Sequence, residues 1–145
     1  MLVAIDIYSK FTIAWPVKGR GNRHATIRCL NDLAQRYMLP TEIYSDNAAV
    51  LTSRLIRDTF PEVTFTQAAP YAHAGVVENA NKQIVQRLKI LCNLDLHDFE
   101  AAAQANSTMP WEDWLPSALS AINNRRMPAL GGYSPREVLF GVVDD

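Results

Sequence analysis

The chain has 145 residues, 48% of them hydrophobic and 20% charged, with a formal net charge of −1. That length bounds it to one domain large enough to bury a core, and the ordinary composition excludes wholesale disorder. A charge this close to zero excludes a globally basic nucleic-acid binder, so contact with a polyanion must rest on a local basic surface. No apolar run approaches the length needed to span a bilayer, and MLVAIDIYSKF lacks the charged start and long apolar centre of a signal peptide. Cys29 and Cys92 stand alone, without paired Cys or His spacing, and read as two buried thiols in a reducing compartment.

In chain order, LVAIDIYS and FTIAWPV alternate or run apolar with β-branched and aromatic residues, which predicts a hairpin of two strands. GRGNR is a loop. Over 24–38, Ile27, Leu30, Leu33, Ala34 and Tyr37 recur at helical spacing, and Leu39-Pro40 ends that helix. TEIYSDN predicts a short strand running into a turn, SRLIRDTF a short helix, and VTFTQAA another strand. The next helix opens near Gly75, with Val77, Ile84, Leu88 and Leu91 on one apolar face. PWEDWLPSALSAINNRR predicts a helix through Trp114, Ala118 and Ile122, with Pro116 limiting its first turn. In GGYSPREVLFG, Ser134 can cap, Pro135 suits the first helical position and Glu137 completes a capping box. The expected order is β-β-α-β-α-β-α-α-α, a mixed α/β domain with a helical tail.

Two carboxylates stand out within this frame. Asp46 falls where a strand gives way to a turn, and Glu78 lies on the expected first turn of a helix. Carboxylates brought together from a strand end and a helix suit Mg²⁺, which takes one or two of them plus water and phosphate oxygens. The same residues have plainer readings. Asp46 suits an ordinary Asx turn, and Glu78 suits the positive end of a helix dipole.

The segments around these residues carry a family resemblance. IYSDNAAVLTS resembles the surroundings of the second catalytic aspartate of retroviral and retrotransposon integrases, and PYAHAGVVENANKQI resembles the loop and helix bearing their glutamate. WLPSALSAINNRR, GGYSPREVLFG and LVAIDIYSKFTIAWPV are similar to gypsy-type integrase segments, in the same order and over nearly the whole chain. GVVENANK is the most specific block. The resemblance implies an RNase H-like α/β fold, a mixed sheet flanked by helices. It also implies DDE-type polynucleotidyl transfer, with Asp46 and Glu78 as catalytic residues and ligands of Mg²⁺ or Mn²⁺. Water, then a DNA 3′-hydroxyl, would attack phosphodiester bonds to process element ends and join them to target DNA. It divides the chain into a truncated catalytic core over 1–98 and a helical extension of the same domain over 99–145.

Two departures from the pattern accompany the resemblance. Between Asp46 and Glu78 lie 31 residues, a few fewer than the family's usual spacing. VAIDIYSKF matches the family's second strand, so the first strand and its aspartate are expected to be missing. Asp6 is then expected near the hairpin bend. The absent strand is central in the family, and its loss leaves two sheet edges without a partner. Inactivity of the isolated chain follows as an expectation.

On the Glu78 helix, Asn81, Lys82, Val85 and Lys89 share a side with Glu78. The resemblance places Asn81 and Lys82 beside the active site, and Lys82 and Lys89 can neutralise phosphates. The plainer reading is a solvated face with a Glu78–Lys82 pair. Arg125-Arg126 suit a helix end, His73 reads as a turn histidine, and His24 and His97 lack ligand spacing. Trp111 and Trp114 are expected to pack the tail. The implied partners are double-stranded DNA and further copies of the chain, in the nucleus or cytoplasm. Two rivals stand beside the integrase reading: a related transposase core, and a non-catalytic remnant or adopted DNA- or protein-binding module.

Overall fold

The computed structural model describes residues 1–17, 23–45, 53–67, 74–94 and 110–141. The elements follow the expected order: β1 (Leu2–Ile5), β2 (Thr12–Trp15), α1 (Arg23–Arg36), β3 (Glu42–Ser45), α2 (Arg54–Thr59), β4 (Thr64–Gln67), α3 (Ala74–Leu94), α4 (Pro110–Asn123), a 3₁₀ turn (Pro128–Leu130) and α5 (Pro135–Phe140). Among the described residues, β1 pairs with β2 and β3 with β4, in two separate two-stranded sheets. No helix among these residues is long and apolar enough to cross a membrane.

The chain forms two compact units, one of Met1–Leu2 with Trp15–Gly75, the other of Val3–Ala14 with Val76–Asp145. In the first, β3 and β4 run parallel, with Ile43 opposite Phe65. Such a pair needs a crossover, and α2 lies between the two strands in sequence. Ser53 caps α2, its side chain accepting from the Ile56 N–H. Leu30 of α1 and Ile56, Phe60 and Val63 form the core, with Ile27, Leu33, Leu39, Ile43 and Phe65 packed around it. Cys29 is buried as expected, and its burial raises the thiol pKa. Cys92 is only half-buried. At the end of β2, Trp15 Nε1–H donates to Asp32 on α1 at 2.7 Å.

The second unit packs the hairpin with α3 and α4. Ala14, Ile84, Leu88, Leu115 and Ala118 are its buried core, with Val3, Leu91, Trp111, Trp114, Leu119 and Ile122 against it. The two tail tryptophans thus pack as expected. Pro116 lies inside α4 and does not end it. Asn123, at the end of α4, closes the assembly. Its Oδ1 accepts from the Thr12 N–H at 2.9 Å, and its Nδ2 donates to the Thr12 carbonyl at 2.8 Å. The N–H and C=O of one strand residue point to the same side. A single amide therefore pairs with β2 as a neighbouring strand would. Both residues are buried, so each unmade bond would cost the full desolvation of its group. At α5 the capping box is complete, Ser134 and Glu137 each accepting from the other's backbone N–H.

Candidate functional site

The α3 helix divides its residues by the 3.6-residue period. Ala80, Ile84 and Leu88 are buried and Leu91 is half-buried, whereas Glu78, Asn81, Lys82 and Lys89 are exposed. The three- and four-residue steps from 78 to 89 keep the four polar residues along one side. Val85, expected among them, is half-buried. Val77 was expected on the apolar stripe but is 39% exposed, so the buried face begins at Ala80. The helix opens at Ala74, beside the expected Gly75, and Glu78, expected on the first turn, is its fifth residue. It therefore lies beyond the first turn, where the helix dipole would have given it a local reason to be there.

Among the described residues the ion pairs are Asp32–Arg36 and Arg54–Asp58, so Glu78 and Lys82 do not neutralise each other. Glu78 is thus an exposed carboxylate on a rigid helix, with a lysine one turn further on. An ionised carboxylate is a hard oxygen donor of the kind Mg²⁺ and Mn²⁺ accept, so its chemistry fits the expected ion. Asp46 lies outside the described residues, as do His73 and His97. No group of three or more His, Cys, Asp or Glu able to hold a metal occurs among the described residues.

Asp6 has other employment. Its Oδ2 accepts from the Ser9 N–H at 2.9 Å and the Ser9 hydroxyl at 2.6 Å, while its backbone bonds Lys10 and Phe11. Ser9 is fully buried and Lys10 takes φ +64°, so the Asp6 carboxylate organises the hairpin bend where it was expected. Pattern reading missed two polar contacts, Thr12–Asn123 and Trp15–Asp32. The first had a faint signal in a polar residue beside the stripe of Leu115, Ala118 and Ile122. The second had none.

No protein-family profile matches the chain. It is 25% identical over 149 aligned residues to the Gag-Pol polyprotein of Avian reticuloendotheliosis virus, covering 98% of this chain and 12% of that protein. The structure is similar to the HTLV-2 integrase catalytic core domain in complex with magnesium (trimeric form), with TM-score 0.74 and 18% identity. That similarity covers 94% of this chain and 82% of the other. It is also similar to the catalytic core domain of BIV integrase, with TM-score 0.69 and 27% identity over 95% of this chain and 83% of that one. The chain therefore has the RNase H-like α/β fold of a retroviral or retrotransposon integrase catalytic core.

Proposed function

We propose that this chain is the catalytic-core part of a gypsy-type retroelement integrase, serving metal-dependent joining of element DNA to target DNA. The observation that carries the reading is the exposed α3 face of Glu78, Asn81, Lys82 and Lys89, set on an integrase-core fold. In this reading Asp46 and Glu78 are the carboxylates that hold Mg²⁺ or Mn²⁺. When bound there, the ion would supply Lewis-acid activation of an attacking oxygen and charge stabilisation of a leaving one. Lys82 and Lys89 hold the DNA backbone through its phosphates, and Asn81 adds an uncharged contact beside Glu78. Further copies of the chain assemble on the DNA, in keeping with the trimeric form of the HTLV-2 core.

A second reading is favoured by one observation: Asp6 is bound to Ser9, so the hairpin offers no third carboxylate. In that reading the isolated chain is an inactive DNA- or protein-binding module. Mg²⁺-dependent strand transfer, assayed in the full polyprotein product and in the 145-residue chain, separates the two. The integrase reading expects Glu78→Gln to lower joining in the full product by about a thousandfold, the loss of several kcal/mol of transition-state stabilisation. It expects Asp6→Asn to leave joining unchanged. No effect of Glu78→Gln supports the binding module. Joining by the 145-residue chain that disappears in Asp6→Asn would put a catalytic duty on Asp6.

A further inference from the structure

We propose that the junction of the hairpin turn, the end of α4 and the start of α5 is a second docking surface for the phosphate backbone of duplex DNA, separate from the α3 face. The inference rests on the DNA-joining reading above. Arg125 and Arg126 are exposed directly after α4, and Arg136 is exposed in the first turn of α5. The loop between them is closed. The Met127 N–H donates to the Tyr133 carbonyl and the Gly132 N–H to the Met127 carbonyl, both at 3.0 Å. Arg126 and Ser134, which flank the loop, are thereby held side by side, with Arg136 two residues on. The Asn123 amide grips Thr12, and Phe11 meets Phe140 edge-on at 5.5 Å. These contacts bring the hairpin turn and Lys10 to the same place.

Three exposed arginines and the half-buried Lys10 stand on these three segments, and among the described residues none enters an ion pair. Arg126 Nη1 donates weakly to the Gly132 carbonyl at 3.5 Å, and the Arg136 guanidinium lies 6.0 Å from the Phe140 ring centroid. The described carboxylates of these segments accept from neighbours other than these cations, Glu137 from the Ser134 N–H and Asp6 from Ser9. Helix electrostatics accounts for cations after α4, but a cation at the start of α5 opposes the dipole. Arg136 therefore gains nothing from the helix dipole, and its contact within α5 is the Phe140 ring four residues on. In a chain of net charge −1, such a concentration suits a polyanion. Guanidinium forks held by separate backbone segments match phosphates spaced along a duplex. The six-residue α5 is too short to lay an apolar face along a lipid interface.

The test is fluorescence anisotropy of labelled duplex DNA against the full chain from about 50 to 200 mM salt. The Arg125→Gln/Arg126→Gln/Arg136→Gln variant should flatten the slope of log affinity against log salt by about 1 per residue, with an unchanged melting curve. Among the described residues the Arg125 side chain has no hydrogen-bond or ion-pair partner, and Arg125→Gln should by itself flatten the slope by about 1. Lys82→Gln/Lys89→Gln serves as the control for the α3 face. A flattened slope in the arginine variants supports the junction even if the α3 variant binds normally, in which case the α3 reading fails alone. An unchanged slope in the arginine variants overturns the junction, whatever the lysines do. Arginine-dependent binding to phosphatidylserine vesicles with unaltered DNA binding would overturn it in favour of a lipid surface.

Discussion

The two units bury cores of similar kind but assemble them from different distances along the chain. In the first, the core around Ile56 draws, among the described residues, on those between Ile27 and Phe65. In the second, the core around Ile84 joins Val3 and Ala14 to Leu115 and Ile122. The first is a local β-α-β device whose parts meet because they are neighbours. The second needs the chain's beginning and end to find each other, and it adds a buried amide where they do. Contacts local in sequence lose less entropy on closure, so the two cores differ in how they form as much as in what they contain.

The strongest probe of that difference is a pair of cavities. Ile56→Ala and Ile84→Ala, both at fully buried positions, should each cost about 3 kcal/mol in chemical denaturation. The Ile56 loss should fall mainly on refolding and the Ile84 loss mainly on unfolding, as stopped-flow kinetics would read. Equal partition in both variants would erase the distinction. Next in size is Asn123→Ala, expected to cost about 2 kcal/mol by leaving buried Thr12 groups without a partner. Hydrogen exchange should show faster loss of the Thr12 amide proton while the α2 amides keep their protection.

The smallest effect belongs to the first unit and depends on pH. The Trp15 hydrogen bond, more than Arg36, holds the Asp32 carboxyl below its ordinary value, while partial burial opposes it. A carboxylate lowered in this way stabilises the fold above its unfolded pKa, and that contribution fades as pH falls through the folded one. Asp32 is substantially exposed, so solvent keeps the effect small. A melting series below about pH 4 should therefore show a slightly steeper decline for the wild type than for Trp15→Phe.

What could be read in the sequence follows the same division. The order of elements, the Ser134–Glu137 box and the Asp6 bend all arise from residues within a few positions of one another, where period and turn chemistry speak directly. The exposed polar side of α3 was legible for the same reason, since helical spacing alone sorts Glu78 and Lys82 from Ile84 and Leu88. The start of that helix near Gly75 was legible to within a residue, but a boundary is never read more finely than that, and the one residue puts Glu78 just beyond the first turn. Thr12–Asn123 was out of reach for a different reason. An asparagine after an apolar stripe looks like a solvated helix end, and only the tertiary fold brings a strand to it.

That asparagine also bears on how the protein behaves at high concentration. An outward-facing strand edge recruits other chains because its backbone groups await a matching ladder, the usual route to intermolecular sheet growth. With the Thr12 groups already occupied by a side chain, an incoming strand must forgo that rung or dislodge α4. The outer margin of the hairpin is thus guarded against self-association by one amide, and preparations lacking it should clump sooner on concentration.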